Sequence, residues 1–514
     1  MTAGVTAHVQ DVVVVGAGLA GLSAAVHLAA AGRDVTVVEQ GSAPGGKAGL
    51  VERDGYRFDT GPTVLTMPEL IEQTFRAVDE EMDDHLTLHR LSPAYRAHYP
   101  DGSTLRAYAD RDAMADEIGR VCGAGEADGY RRLAAYLQRL YRAEYAHFID
   151  RNVDGPLDLN VAALARLAAL GAFGGLEARI RRYLHDPRTI RLFSFQALYA
   201  GVAPHRARAL YAVISYMDTV AGVFFPHGGM HRLPQALADL AERHGVTFRY
   251  GQRVERVETT FGGRARAVVT QDGDRLPADA VVITADPFLA FPQLLNRSPR
   301  RLRSLRFSPS CFLLLAGAPR GAADRDHHAI HFGRSWRGGF EEITRQGRLM
   351  SDPSFLVSTP TVTDPGLAPP GHHSHYVLFP TPNLADGHVD WDIHRGPYLD
   401  LVRRTLTGHG YPELAEDPQA ATVTTPVDWQ RRDCPAGTPF SAAHTLGQTG
   451  PFRTPNLAGE NIVLAGAGTH PGVGIPMALI SGRLAAERIT GPARRGAPPG
   501  RPGPVRLQAS GGGR

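Results

Sequence analysis

The stretch Asp11–Gln40 decides more about this chain than any other. Asp11–Val15 is a short apolar run closed by a glycine, the pattern of a strand buried on both faces of a parallel sheet. Leu19–Ala31, rich in alanine and leucine, reads as a helix stopped by Gly32. Val35–Glu39 reads as a second buried strand, so the unit is β-α-β with a right-handed crossover. Between first strand and helix stands Gly16-Ala17-Gly18-Leu19-Ala20-Gly21. Gly16 permits the tight turn, Gly18 lets backbone approach a pyrophosphate, and Gly21 lets the helix press on the strand. The helix N-terminus adds donors and positive potential. Glu39 closes the second strand, where a carboxylate can accept both hydroxyls of a ribose. Glycine spacing alone is weak evidence in a chain with 57 glycines. Strand, glycines, helix, strand and acid together point to a dinucleotide held by its adenosine end.

Three later segments bear on which dinucleotide. Pro44-Gly45-Gly46-Lys47 follows Glu39 directly, and Lys47 is the sole lysine of the chain. Its amine would neutralise the pyrophosphate or lie near the rest of the ligand. Phe58-Asp59-Thr60-Gly61-Pro62-Thr63 is too short for a core element and reads as a shaped turn. From Gly466 to Met477 a strand feeds a glycine-rich loop, which feeds a helix beginning near Ile475–Pro476. Proline early in a helix removes a donor that would be unpaired anyway. The donors left open there can stabilise negative charge on a reduced flavin. The Gly468-to-Gly472 spacing breaks a second dinucleotide fingerprint. A site finished by segments from both ends of the chain suits FAD, whose long body crosses a domain, better than NAD.

Between these segments the chain divides by pattern. Residues from about Arg111 to Val223 read as mostly helical, with Tyr130, Leu133, Leu137, Leu140, Tyr141 and Phe148 at helical spacing. Leu159–Leu176 carries one charge, Arg166, and Leu210–Phe225 is nearly as apolar. The former reads equally as core or as the wall of an apolar tunnel or membrane contact, the latter as core. A helix Leu233–His244 and alternating strands follow, with a buried strand at Ala280–Ala285; Cys311–Asp428 mixes strands with prolines. After Gly491, Gly and Pro supply half the positions, which predicts disorder.

Composition removes several classes. The formal net charge is +3, and five arginines with no acid stand after Gly491, so no global field or basic stripe for nucleic acid remains. Cys122, Cys311 and Cys434 stand far apart, which argues against a disulfide framework or cysteine zinc site and fits a reducing cytoplasm. His372, His373 and His375 near Pro369–Pro370 read as a solvated loop rather than a metal site. The first residues, MTAGVTAHVQ, show no basic region followed by an apolar stretch, so no secretory signal is expected. The runs Val12–Gly32 and Asn461–Gly482, long enough for a bilayer but dense in glycine, are not expected to be transmembrane helices.

Taken together, DVVVVGAGLAGLSAA, the Glu39 strand end, PGGK, GYRFDTGPTVLTMP, FFPHGGMHRLPQAL and NIVLAGAGTHPGVGIPMALISG resemble the bacterial-type phytoene desaturases from about Asp11 to Ile489. Flavin amine oxidases and GDP dissociation inhibitors are wider relatives. The resemblance implies an α/β fold: a Rossmann-like, glutathione reductase-type FAD-binding domain with an inserted mixed-sheet substrate domain and a helical, membrane-associating subdomain. Residues 11–90, 226–300 and 455–490 would form the first, 91–110 and 301–454 the second, and 111–225 the third, with flexible residues 1–10 and a disordered tail 491–514. It implies FAD contacts at Gly16, Gly18, Gly21, Glu39, Gly46, Lys47 (often Arg in the family), Gly61, Pro62, Thr63, Val254, Asp286, Gly466, Gly468, Gly474, Ile475 and Met477. Ala467 stands where amine oxidases often carry an acid for the ribityl chain.

The implied activity is dehydrogenation of phytoene to lycopene or a less desaturated carotene, at a membrane surface from the cytoplasmic side, with quinone or oxygen as final acceptor. A C40 hydrocarbon has no hydrogen-bonding groups, so its tunnel must be apolar and select by shape. His470 is the titratable residue best placed by motif to take part, while Asp150 and Arg151 border the apolar segment. A carotene isomerase or amine oxidase is the competing enzyme reading, and a flavin-free prenyl-lipid escort the non-enzymatic one.

Overall fold

A computed structural model describes residues 9–321, 324–416 and 418–491. The expected flexible N-terminus, apart from Val9 and Gln10, and the expected disordered tail beyond Gly491 lie outside the described residues.

A five-stranded, all-parallel sheet organises the dinucleotide side. Its order is Ile462–Leu464, Ala280–Ile283, β1 (Asp11–Val15), β2 (Asp34–Val38) and Thr247–Arg249. Val12, Val14, Val37 and Val282 are fully or nearly fully buried, as expected for strands covered on both faces. Helix α1 (Leu19–Ala30) covers one face and packs on helix Ile475–Thr490. A Cβ on Gly482 would sit 2.2 Å from the Ala20 carbonyl oxygen, so the two helices meet backbone to backbone. The first and last strands of the unit are therefore neighbours through Ala280–Ile283.

A seven-stranded mixed sheet forms the second layer, ordered Gln419–Thr424, Ser310–Pro319, His372–Thr381, Phe355–Ser358, His328–His331, Tyr95–His98 and Thr104–Ala107. Only the Tyr95–His98/His328–His331 pair is parallel. The histidines expected on a loop begin the third of these strands. His375 is buried with Nδ1 3.1 Å from Thr359 Oγ1, because strand alternation turns it into the sheet packing. The Phe58–Thr63 segment also differs from a free turn. Tyr56–Asp59 is a strand paired with Leu50–Arg53, and Phe58 is buried.

Helices Arg111–Cys122 and Ala124–Glu144 carry the region between the two sheets' segments. Asp110 caps the first through Asp112 N and Ala113 N. Tyr130, Leu133, Leu137 and Leu140 share the buried stripe of the second. The apolar stretch Leu159–Leu176 is not one helix. Asn160 caps Val161–Ala169, and the chain then turns through Gly171, whose φ of 71° ends it, before Leu176–Ile180. Leu210–Phe225 is broken too, into Ala209–Tyr211, Ala212–Tyr216, Met217–Ala221 and strand Phe224–Pro226.

Candidate functional site

At the end of β1 the chain turns through Gly16 with φ 101°, where a Cβ would lie 2.2 Å from Thr284 Oγ1. At Gly21 a Cβ would lie 2.0 Å from the Gly16 carbonyl oxygen, so only glycine lets α1 sit this close to the turn. Gly18 caps α1 without any side-chain bond, leaving first-turn N–H groups free for a ligand. Glu39 is buried at the end of β2. Its Oε2 accepts from Ala17 N and its Oε1 from Gly41 N, both at 2.7 Å. Gly46, with φ 56°, faces Gly18 so closely that a Cβ would stand 3.2 Å from the Gly18 Cα. Lys47 Nζ donates to the Pro439 carbonyl at 2.7 Å, which ties this loop to the far side of the trough.

Beyond the trough the walls come from four segments. A Cβ on Gly61 would fall 1.8 Å from the Lys47 carbonyl oxygen, locking the Gly61–Thr63 turn against the glycine loop. Asp59 just before it accepts Met230 N at 2.8 Å and His231 N at 3.0 Å, and burial raises its carboxyl to about 6. Gly468 is pressed on Pro287, with Asp286 Oδ2 3.0 Å from where a Cβ would stand. Asp286 Oδ1 caps the turn at Phe288 N, while Oδ2 is buried without a partner. Gly474, φ 114°, starts helix Ile475–Thr490 with no side-chain cap, and Gly466 N and the His470 carbonyl are both held by Ser481 Oγ at 3.0 Å.

These segments enclose one cavity of about 1020 Å³. Gly16, Gly18, Glu39, Gly46, Lys47, Gly61, Pro62, Thr63, Val254, Asp286, Gly466, Gly468, His470, Gly474, Ile475 and Met477 all border it, and Gly21 lies behind the wall. The cavity continues into an apolar chamber walled by Phe148, Leu164, Leu167, Phe195, Leu210 and Ile214, among others. Leu210–Phe225, expected as core, thus supplies part of the chamber wall. Asp150 and Arg151 do not border it; Asp150 pairs with Arg483.

The shape and donors fit FAD. Glycines leave a trough that a Cβ would narrow, two uncapped helix starts open onto it, and the orphaned Asp286 Oδ2 awaits a donor. His470 is buried with its ring against the Arg151 backbone; burial, then the nearby Arg453 cation, hold it down to about 4. It is therefore a neutral imidazole at physiological pH.

Sequence reasoning missed three residues. Arg453 is buried behind the loop and donates to the carbonyls of Thr469, Ala467, Ala442 and Gln448; burial brings it down to about 10, against the pull of Tyr211 and Asp286, so it stays charged. Arg253 and Asp433 pair at 3.0 Å and share Gln40, closing the adenosine end of the trough. One arginine among so many, and one loop aspartate, carry no local signal. Among the described residues no group of three His, Cys, Asp or Glu could hold a metal ion.

The family model for flavin-containing amine oxidoreductases matches residues 19–490. A phytoene dehydrogenase of Streptomyces griseus is 55% identical over 96% of this chain and 98% of its own. A zeta-carotene-forming phytoene desaturase of Myxococcus xanthus is 37% identical over 93% and 94%. Among solved structures, putrescine oxidase bound to putrescine aligns over 93% of this chain and 98% of its own, with a TM-score of 0.60 at 16% identity. A Rab GDI from Plasmodium falciparum aligns over 94% and 98%, with a TM-score of 0.53 at 10% identity.

Proposed function

The chain belongs to the flavin-containing amine oxidoreductases, in the branch of the phytoene dehydrogenases, and on that premise we propose that it desaturates phytoene to lycopene or to a less desaturated carotene. It is an FAD-dependent oxidoreductase. The observation that carries the substrate reading is the continuity of the glycine trough with an apolar chamber. FAD, when bound, supplies the acceptor for hydride leaving an allylic CH₂.

The chain's own part is to hold and seal. Glu39, Lys47 and the α1 start hold the adenosine and pyrophosphate end, and Val254, Gly46 and Gly61–Thr63 line its flank. Asp286, Gly466, Gly468 and the Gly474–Met477 helix start face the ring end, where open N–H donors stabilise the charge that reduction brings. The chamber excludes water and sets by its shape which bond is presented. His470, neutral on the wall, would touch the reacting end.

Residues 111–225 would form the membrane-associating subdomain. Leu157, Val161, Phe173, Leu446 and Phe452 are exposed, and Phe173, Leu446 and Phe452 also border the cavity. The turn Pro156–Asp158 neighbours Gly450–Phe452, so Leu157 and Phe452 would join in an apolar rim beside the cavity. Such a rim supports peripheral seating on one leaflet, through which the hydrocarbon would enter. No helix among the described residues is long and apolar enough to cross a membrane. Quinone or oxygen would reoxidise the cofactor.

The test is incubation of the protein with FAD and liposomal phytoene, followed by absorption spectra. Each added double bond moves the bands to longer wavelength, so the spectrum reports both activity and step number. Unchanged phytoene, with turnover of amines instead, would sink the reading.

A further inference from the structure

One acid on the chamber wall has no part in the reading above. Asp218 lies in the turn Met217–Ala221, at the end of the apolar segment that lines the chamber; it is buried yet borders the cavity. Its Oδ1 accepts the Tyr95 hydroxyl at 2.5 Å. Its Oδ2 is buried without a hydrogen-bond partner, although the Gln196 side chain lies alongside. Gln196 keeps one Nε2 N–H on the Leu192 carbonyl and its Oε1 on Ser215 Oγ, both at 3.0 Å, and its side chain steadies the ionised carboxyl. Two further contacts lead from its partner Tyr95 to the flavin-side turn. The Thr63 backbone lies beside the His328 ring, and that ring stacks on Tyr95 at 5.4 Å.

An unpaired buried carboxyl oxygen costs stability, and a hydrocarbon gives it nothing in return. A group kept there is better explained by chemistry than by binding. Resting on the desaturase reading, we propose that Asp218 accepts the proton released in desaturation, on its free oxygen Oδ2.

The step balances. The allylic C–H bond breaks and its pair leaves as hydride to FAD. The C–H pair of the neighbouring carbon becomes the second bond of the new C=C, and its proton forms the O–H of Asp218. The hydrocarbon loses two hydrogens and two electrons, and the carboxylate gains one proton. Before that, its negative charge in a low-dielectric wall attracts the positive charge that develops along the polyene as hydride departs. Tyr95 fixes the carboxylate by holding Oδ1.

Among the described residues, the titratable groups facing Asp218 are Tyr95 from strand Tyr95–His98 and Tyr199 from turn Phe195–Ala200, with no cation. Burial lifts it to about 7, against the pull of Tyr95 and Gln196, which leaves a good fraction ionised at neutral pH. Two other acids on the wall carry a buried oxygen without a hydrogen-bond partner: Asp286, whose Oδ1 caps the turn at Phe288 N, and Glu144, whose carboxyl is pushed well above its usual range by burial alone.

Holoprotein of the wild type, D218N, E144Q and Y95F is mixed with liposomal phytoene without oxygen, and bleaching of the flavin band is followed across pH. In the wild type the bleaching rate should rise with pH through one ionisation near 7 and then level off. D218N should keep FAD and phytoene binding, bleach about 100-fold slower or worse, and lose that ionisation. An infrared difference spectrum on bleaching should show a new protonated-carboxyl band in the wild type and none in D218N. Y95F, which keeps the carboxyl but frees Oδ1, should move the ionisation to higher pH. The assignment is overturned if D218N bleaches at the wild-type rate with the same pH profile. It is overturned equally if E144Q alone shows the loss, or if Y95F leaves the ionisation in place. A wild type that phytoene does not bleach overturns the desaturase reading itself, and this assignment with it.

Discussion

Replacing Glu39 with alanine should weaken the apoprotein and the cofactor complex by different, separable amounts. Glu39 makes two bonds of 2.7 Å, to Ala17 N and Gly41 N. Ala17 is fully buried, so its N–H would lose its partner with no water to replace it, at about 1–3 kcal/mol. Gly41 is partly exposed, and water would take over there at a loss of roughly 0.5–1.5 kcal/mol. The apoprotein should therefore lose about 1.5–4.5 kcal/mol, read as a fall in Tm. The two Glu39 oxygens have further lone pairs for the ribose hydroxyls. Two bonds to a charged acceptor are worth roughly 3–6 kcal/mol, or about 10²–10⁴ in FAD Kd. Flavin fluorescence titration measures the second loss and thermal denaturation of apoprotein the first. Glu39→Gln should fall between, because its one amide oxygen serves a single N–H while its NH₂ opposes the other. An E39A apoprotein with unchanged Tm that binds FAD within threefold of wild type would refute both the bond assignment and the adenosine-end placement.

Gly468→Ala must push its loop off Pro287, so about 1–3 kcal/mol of overpacking and at least tenfold weaker FAD binding are expected; an unchanged titration counts against the close approach. His470→Ala should abolish carotenoid formation while FAD content stays normal, and coloured product from that variant would remove His470 from the chemistry. Leu157→Asp with Phe452→Asp should cut co-sedimentation with liposomes about tenfold and leave FAD titration unaffected; undiminished sedimentation would move the membrane contact elsewhere. Acid should destabilise the fold through His328, His375 and His470, held by burial at about 3, 3 and 4. Unfolded, each takes up a proton near pH 6.5, so stability is present above that value. It is lost toward pH 4 by up to about 1.4 kcal/mol per unit for each group. A Tm that stays level from pH 6.5 to 4 would contradict their burial as neutral rings.

What could be read from the sequence was what local pattern encodes. The dinucleotide unit follows from period, glycine and acid in one short stretch, and β1, α1 and β2 stand within a residue of their expected bounds. The glycine loop before Ile475 was legible for the same reason. The histidines at 372–375 were misread because nearby prolines suggested a loop, whereas pairing with Ser310–Pro319 over its whole length decided for strand. Tyr56–Asp59 was missed as a strand because its partner, Leu50–Arg53, is itself short and only half apolar. Arg453, Asp433 and Asp218 owe their places to contacts between segments far apart in the chain, and no window of sequence holds both sides of such a contact.

The neighbourhood of β1, Ala280–Ile283 and Ile462–Leu464 also sets an order of events during synthesis. A chain still emerging from the ribosome can form β1, α1 and β2 early, but the edge strand and the helix that presses Gly482 on Ala20 arrive almost last. Until then the sheet has an open edge and α1 an uncovered apolar face, both hazards for aggregation. Long-range pairing of this kind slows folding. FAD can help only once the final segment has docked, so free cofactor supplied after release should raise the yield of folded protein, whereas cofactor present only during elongation should not.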